Sequence, residues 1–277
     1  MALLVVATPI GNKFDITIRA IEVFKTAEII LCEDTRTTAN LLQMHGIFAK
    51  KLQHFTDHTE EASFLPFLEL AKTSNVAIVS DAGTPIIADP GYKIIAKALQ
   101  IGVQVSPIAG ASSLTSGISV CGLPFFNFAF LHFYDFKKLS QIKLCFKNQL
   151  SVVCFVPGRE IKKTLNELKS HFASHKICVT RELTKIYEDI KTGTFEELLE
   201  HYQNPEKQKG EAVLMISYKN EKLEEESLNS LLKKVFIEKP FLLEIKPKQL
   251  AEVLKTYEEK FNLFSKKEIY NQIVSFT

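Results

Sequence analysis

Three short loops rich in small residues carry the side chains best suited to bind a ligand. They read Thr8-Pro9-Ile10-Gly11-Asn12, Asp81-Ala82-Gly83-Thr84-Pro85 and Ala109-Gly110-Ala111-Ser112-Ser113. Their glycines let the main chain approach a ligand closely. Asp81 can accept hydrogen bonds from an amino group or from hydroxyls, and the two serines can donate hydrogen bonds at the start of a helix. Any one loop alone favours an ordinary turn, whereas three together favour a binding site.

The kind of ligand is narrowed by patterns that the sequence lacks. It has no GxGxxG of nicotinamide-binding folds, no GxxxxGK[ST] of nucleotide hydrolases and no GxSxG of serine hydrolases. A nucleotide-like ligand that needs no diphosphate cradle remains. S-adenosylmethionine is a reasonable candidate of that kind.

The elements that must position these loops alternate between strands and helices. Apolar runs at 3–7, 29–32, 76–80 and 103–106 predict buried parallel strands. Between them, Asp15 is predicted to cap one helix, and Asp89-Pro90 is predicted to open another over 91–100. This alternation predicts a doubly wound α/β domain, in which all three loops emerge at the carboxyl edge of one sheet, where ligands bind.

A second α/β domain with a mixed sheet is predicted after Gly122-Leu123-Pro124. Its strands are predicted at 151–156, 176–180 and 212–217, and its helices near 160–171 and 195–202. Residues 219–240 suggest a polar linker or an exposed helix. A helix pair with a capping box at Ser265 to Glu268 then ends the chain, more typical of a packing appendage than of a DNA-binding helix pair. The predicted domains are therefore 1–116, 117–218 and a helical tail at 219–277.

Composition and charge restrict the class of protein. Of 277 residues, 46% are hydrophobic and 24% are charged, which is typical of a soluble globular protein. No apolar run reaches the length of a membrane span, so we expect a cytoplasmic protein. The five cysteines form no CxxC pair, and we expect no metal site. Residues 134–185 hold 11 Lys or Arg against 4 Asp or Glu, which suits a phosphate-bearing acceptor or, equally, a solvated lysine face.

Several phrases of the sequence resemble one known family. They are Ala7-Thr8-Pro9-Ile10-Gly11-Asn12, Asp15-Ile16-Thr17, Cys32-Glu33-Asp34-Thr35-Arg36, Ser80-Asp81-Ala82-Gly83-Thr84-Pro85 and Asp89-Pro90-Gly91-Tyr92. Together they resemble the tetrapyrrole methylase superfamily and, within it, the ribosomal small subunit methyltransferase I family, which methylates a cytidine ribose 2′-hydroxyl in 16S rRNA. The resemblance implies a homodimer that acts on 16S rRNA or the small ribosomal subunit. It also implies that S-adenosylmethionine lies in a cleft between two α/β domains, held largely by backbone atoms of the small-residue loops.

Candidate site residues follow from these phrases and from the chemistry of methyl transfer, which needs an aligned acceptor and a group that takes its proton. For the cofactor we expect Pro9, Gly11, Asp81, Gly83, Thr84, Gly110, Ser112 and Ser113. For catalysis we expect Glu33, Asp34, Arg36 and Glu182, and for the substrate His58, Arg181 and Lys185. A structural ion-pair network is the alternative for the charged residues, and a solvated side chain is the alternative for His58.

The acceptor side departs from the family's phrases. Thr56-Asp57-His58-Thr59-Glu60 stands where the family commonly reads His-Glu-His-Asn-Glu, and 154–160 lacks the family's Phe-Tyr-Glu-Ser-Pro-His-Arg. The family's Gly-Phe-Leu-Pro-Arg is not recognisable near 130–138. A methyltransferase acting on a tetrapyrrole or another small molecule, and a non-catalytic ribosome-binding relative, therefore stay open as alternatives.

Overall fold

The computed structural model describes residues 1–48, 50–56, 59–218, 228–239, 242, 244–257, 261 and 264–275. The chain divides into two compact units, Met1–Tyr218 and Lys219–Thr277. Within the described residues, the first unit contains two five-stranded sheets with helices, and the second contains helices. The predicted α/β fold class with a helical tail is therefore confirmed. The boundary predicted at 116/117 stays a prediction.

The first sheet is entirely parallel, with strand order β3-β2-β4-β1-β5. Its strands are β1 Leu3–Val6, β2 Ile29–Cys32, β3 Leu52–His54, β4 Val76–Val79 and β5 Val105–Ile108. The apolar runs of β1, β2 and β4 are continuous because helices cover both faces of the sheet. The strands predicted at the positions of β1, β2 and β4 are confirmed, whereas β5 begins two residues later than predicted and β3 was not predicted.

Five helices follow the strands of the first sheet, and the first four pack in pairs on its two faces. They are α1 Ile18–Thr26, α2 Thr35–Met44, α3 Glu61–Ala71, α4 Tyr92–Gln100 and α5 Ser113–Val120. Phe24 of α1 and Leu42 of α2 share a core with Leu4 on one face, while Phe64 of α3 and Ile94 of α4 share a core with Leu3 on the other. Successive residues of β1 thus point to opposite cores, as the strand period of two requires.

The predicted cap of α1 is wrong by two residues. Thr17, not Asp15, caps this helix, and its Oγ1 accepts a hydrogen bond from the Ala20 amide at 3.1 Å. Asp15 instead ends a short 3₁₀ helix, Lys13–Asp15. The hydroxyl directly before Ile18 is better placed to meet the first unpaired amides of the helix.

The second sheet is mixed, as predicted, with strand order β6-β7-β10-β8-β9. Its strands are β6 Phe128–Phe133, β7 Ser151–Pro157, β8 Ile177–Arg181, β9 Asp189–Gly193 and β10 Glu211–Ile216, and only β6 and β7 pair in parallel. Helices α6 Leu139–Lys147, α7 Ile161–Phe172 and α8 Phe195–His201 pack on one face.

Helix α5 covers the other face of the second sheet, although it follows the last strand of the first. Gly117 of α5 is buried so closely that an added Cβ would lie 3.1 Å from Thr180 Oγ1 and 3.4 Å from Val213 Cβ. Helix α5 therefore joins the two sheets of the first unit.

The second unit contains three described helices, α9 Leu228–Glu238, α10 Pro247–Tyr257 and α11 Lys266–Val274. Leu232, Leu254 and Ile269 are buried in their common core. The predicted capping box is present, since Ser265 Oγ accepts a hydrogen bond from the Glu268 amide and Glu268 accepts one from the Ser265 amide. The predicted linker before α9 lies outside the described residues.

In the part of the chain that the structure describes, no helix combines the length and the apolar character needed to cross a membrane.

Candidate functional site

A cavity of about 390 Å³ lies at the carboxyl edge of the first sheet and is closed on the other side by the second sheet. Its volume is in the range of sites for small organic ligands. On the side of the first sheet, the cavity is lined by residues of the loops that follow β1, β2, β4 and β5. On the side of the second sheet, it is lined by residues from β6, β7, β8 and β10. The lining residues are Ile10, Glu33, 81–84, 87–89, Ser112, Ser113, Phe133, Phe155, Val156, Thr180, Glu182, Leu183, Lys185 and 211–213.

The structure brings the three small-residue loops together through main-chain contacts. The Thr8 amide donates to the Gly83 carbonyl at 2.8 Å, and the Gly83 amide donates back to Thr8 at 3.1 Å. Thr84 Oγ1 donates to the Ala111 carbonyl at 3.1 Å, which ties the second loop to the third. Gly83 has a φ of +80°, a value that favours glycine. Because the loops hold one another, the cavity wall is fixed before any ligand arrives.

Three residues predicted for the cofactor lie behind this wall. Pro9, Gly11 and Gly110 are not among the lining residues. An added Cβ on Gly11 would lie 2.5 Å from Lys185 Cγ and 2.8 Å from the Leu183 carbonyl, so this glycine lets the first loop meet the turn after β8. Gly110 similarly lies against Ala7, with an added Cβ 3.0 Å from its methyl group. These glycines place the loops, while Asp81, Gly83, Thr84, Ser112 and Ser113 line the cavity.

Carboxylates dominate the charged groups of the cavity. Glu33, Asp81, Asp89, Glu182 and Glu211 line it, against Lys185 as the single cation among the described lining residues. So many like charges in one partly buried space raise its negative potential. The cavity is therefore suited to a ligand that carries positive charge.

Asp89 has the most perturbed acidity of these carboxylates. Burial raises its pKa to about 6, against a Ser80 hydrogen bond that lowers it, and the charges of Glu33, Glu211 and Asp81 raise it further. Asp89 follows two residues with left-handed backbone, Ile86 at φ +75° and Ala88 at φ +69°. Such strain persists only where the surrounding structure enforces it, and it is concentrated at functional sites.

Among the residues predicted after β2, only Glu33 lines the cavity. Asp34 caps α2 by accepting a hydrogen bond from the Arg36 amide at 2.8 Å, and it also pairs with Arg36 Nη2 at 2.8 Å. The Arg36 hydrogen bonds lower the pKa of Asp34 to about 2. The Arg36 side chain is 87% exposed. Asp34 is connected to the cavity indirectly, because its backbone amide donates a hydrogen bond to Asp81 Oδ1 at 3.1 Å.

The residues predicted after β8 also separate into two groups. Arg181 is buried, and its guanidinium donates to the carbonyls of Lys209 at 3.2 Å and Tyr187 at 2.9 Å, away from the lining residues. Glu182 lines the cavity, where its Oε1 accepts from Lys185 Nζ at 2.8 Å and from the Glu211 amide at 3.2 Å. Burial alone would raise the pKa of Glu182, but these hydrogen bonds outweigh it and hold the pKa below its usual value. His58 lies outside the described residues.

Comparisons with known proteins match this arrangement to one family. The model of the family Tetrapyrrole (Corrin/Porphyrin) Methylases matches residues 2–199. Ribosomal RNA small subunit methyltransferase I of Rickettsia prowazekii (strain Madrid E) is 37% identical, over 98% of this chain and 95% of that protein. The protein of the same name from Bacillus subtilis (strain 168) is 34% identical, over 81% of this chain and 78% of that protein.

The chain belongs to the tetrapyrrole methylase family and, within it, to the ribosomal RNA small subunit methyltransferase I family.

Two solved structures have the same fold. A putative diphthine synthase from Entamoeba histolytica aligns with a TM-score of 0.57 at 18% identity, over 79% of this chain and 94% of that chain. Another diphthine synthase aligns with a TM-score of 0.59 at 18% identity, over 78% of this chain and 90% of that chain. At this identity the likeness shows the fold alone. Family membership confirms the predicted enzyme class, a methyltransferase.

The second-sheet wall of this methyltransferase's cavity contains groups that the sequence analysis did not select. Phe133 and Phe155 form an aromatic surface, with ring centroids 5.6 Å apart. Thr180 is fully buried, and its Oγ1 has no hydrogen-bond partner within the described part of the chain. Asp89 and Glu211 were also missed as site residues. Asp89 lies in a phrase that resembles the family, which was the available signal, whereas nothing local marks Phe133 among the many phenylalanines of this chain.

Proposed function

We propose that the protein transfers the methyl group of S-adenosylmethionine to the 2′-hydroxyl of a cytidine ribose in 16S rRNA. The observation that carries this proposal is the acidic cavity bounded by the three tied loops. Support for an RNA acceptor comes from the relatives, whose printed name is ribosomal RNA small subunit methyltransferase I.

The cavity fits the charge of this donor. S-adenosylmethionine carries a sulfonium and an ammonium against one carboxylate, so it is a net cation. Five lining carboxylates against one lysine favour such a ligand over a neutral or anionic one. Asp81 and the hydroxyls of Ser112, Ser113 and Thr180 are the groups that would hold its polar ends. The bound donor supplies an electrophilic methyl group, and the protein's task is to orient the acceptor and take its proton.

Asp89 is the group we assign to accept the proton of the ribose hydroxyl. A general base works best when its pKa is near the operating pH, and burial brings the pKa of Asp89 to about 6. Asp34, whose pKa lies at about 2, is a much weaker base. Glu33 lies on the same cavity and adds negative charge beside Asp89, which keeps the Asp89 carboxylate basic. The catalytic roles predicted for Glu33 and Glu182 stay predictions.

A homodimer is part of the proposal, as is the small ribosomal subunit as the partner. Dimerisation is supported by the family resemblance and is checked by the mass of the purified protein in solution. Most of the basic residues between 134 and 185 lie in the second sheet and its helices, and we expect an RNA to contact that part of the protein.

The test is methylation of small subunits prepared from a strain that lacks this protein. With donor labelled on its methyl group, we expect label in 16S rRNA at one nucleotide, whose ribose modification blocks alkaline cleavage of the adjacent bond. Asp89→Asn should still bind donor, though more weakly because a negative charge is removed, and at saturating donor it should lower kcat by roughly 100-fold, the usual order for loss of a general base. Label on a nucleobase, or on a tetrapyrrole and not on RNA, would refute the assignment. Association with subunits without any transfer would favour the non-catalytic alternative.

A further inference from the structure

Phe133 presents an open aromatic surface to the cavity. It is the last residue of β6, lines the cavity and is 46% exposed. Its ring packs against Phe155 in an edge-to-face arrangement, at 65° between ring planes, and Phe155 packs in turn against Phe130, with ring centroids 4.9 Å apart. Phe133 therefore adds a partly exposed aromatic ring to the wall of a cavity whose charged groups are mostly carboxylates.

The chain fixes Phe133 in this place by an irregular strand end. The register between β6 and β7 shifts between Phe130 and Phe133, and His132 within this bulge has a φ of +54°. Bulges of this kind re-aim a side chain, and they occur next to active sites. Lys138 Nζ donates hydrogen bonds to the carbonyls of Leu131 and Phe133, which holds the bulged segment in place.

The charges around Phe133 limit what can rest on it. The carboxylates of the cavity repel phosphate, so we expect the phosphates that flank an acceptor ribose to stay at the mouth of the cavity. Shortly after Phe133 and Phe155 in sequence, the chain carries exposed cations, Lys137 in a 3₁₀ helix that follows β6 and Arg159 after β7, the latter 3.8 Å from the Glu160 carboxylate. Phosphates would therefore lie outside, while an uncharged base and its ribose could enter.

We propose that Phe133 is the stacking surface for the acceptor nucleobase, so that one nucleotide turned out of the RNA enters the cavity with its base on this ring. This inference rests on the proposed function and adds the group that positions the acceptor. A partly exposed aromatic ring can stack with any base, because every base has a π-face. Phe133 thus positions the nucleotide without choosing its identity, as in enzymes that take a base out of its stack before acting on it.

The test compares Phe133→Ala with Phe133→Trp and with Phe136→Ala. Phe136 is the matched control, because it is 63% exposed three residues away and does not line the cavity. For Phe133→Ala we expect KM for unmethylated small subunits to rise by roughly 10- to 100-fold, the loss typical of one base–aromatic stack. The Kd for S-adenosylmethionine, measured by calorimetry, should stay within about twofold. Phe133→Trp should restore KM, and Phe136→Ala should behave as wild type.

Other outcomes separate the competing explanations. A donor Kd that weakens as much as KM would overturn the inference by assigning the ring to the donor's adenine. A change in oligomeric state on gel filtration would assign it to a subunit interface instead. An unchanged KM with active wild type refutes the stacking role alone, whereas a wild-type protein that transfers no methyl group to subunits refutes the proposed function and this inference with it.

Discussion

Replacing Asp89 with Asn should stabilise the protein at neutral pH while it impairs catalysis. The buried carboxylate has a pKa of about 6 in the folded protein, against an ordinary value of 3.8. The folded state therefore holds the Asp89 proton more tightly than the unfolded state does. The contribution of Asp89 to the free energy of unfolding is fully present below pH 3.8 and is lost as the pH rises through 6. Above about pH 7 the ionised Asp89 carboxylate destabilises the folded state, and the neutral amide of Asn removes this destabilisation.

The magnitude follows from the shift in acidity. Two pKa units correspond to about 3 kcal/mol, at 1.36 kcal/mol for each unit. Because Asp89 is only partly buried, solvent screens part of this energy, and we take about 1–2 kcal/mol as the expected gain. The Asn side chain keeps an oxygen that can accept the Ser80 hydrogen bond, so little else is lost.

The assay is urea unfolding of both proteins at intervals from pH 4 to pH 8. The free energy of unfolding of Asp89→Asn should equal that of wild type near pH 4, exceed it increasingly up to about pH 6, and stay above it by a constant amount beyond pH 7. Asp34→Asn is the control with the opposite sign, since the pKa of Asp34 is lowered to about 2 and its removal should destabilise the protein evenly from pH 5 upwards. A difference between Asp89→Asn and wild type that does not vary with pH would show that burial of this carboxylate has been misjudged.

Three further predictions concern the walls of the cavity and the donor. Gly11→Ala places a methyl group against Lys185 and Leu183, so we expect the donor Kd to rise at least tenfold. Gly102→Ala, at a position with open space around it, should leave the donor Kd unchanged. Equal effects of the two substitutions in calorimetry would contradict the packing role of Gly11. Arg181→Met removes hydrogen bonds to two carbonyls and should lower the free energy of unfolding by about 2–4 kcal/mol with little change in KM, while an unchanged stability with a raised KM would instead assign Arg181 to the substrate. The affinity for S-adenosylmethionine should weaken as the pH falls through 6, because Asp89 is then protonated. The affinity for S-adenosylhomocysteine, whose sulfur is neutral, should weaken less. Parallel changes of the two affinities with pH in calorimetry would argue against a charge-selective cavity.

The strands that the sequence predicts and those that it misses differ in their place in the sheet. β1, β2 and β4 are interior strands, so their residues are apolar without interruption. β3, β6 and β9 were missed, and each is an edge strand; the fourth edge strand, β5, was predicted two residues too early. Edge strands face water along one side, so polar residues enter them, as the Gln and His of β3 show. Their existence depends on pairing with distant segments, which no local pattern records.

The candidate site divides in a similar way. The sequence locates the loops correctly because the carboxyl edge of a parallel sheet is dictated by topology. It does not reveal which way a side chain turns once the loop is built. Asp34 and Arg36 turn towards each other, and Asp89, interpreted as the opening of a helix, lines the cavity instead. Phe133 is placed by a bulge in long-range pairing, so only the folded chain identifies it.

We expect charge, more than closure, to select the ligands of this cavity. The two sheets that form its walls are tied together by contacts of helix α5, through Gly117 against Thr180, and of the loops, through the Asn12 amide, which donates to Thr184 Oγ1 at 2.9 Å. Walls joined in this way leave little room for a hinge between them within the first unit. Discrimination must then come from the groups already in place. Carboxylates attract a cationic donor and repel phosphate, so a nucleic acid can offer only a single base and ribose to the site, and Phe133 is the surface on which that base can rest.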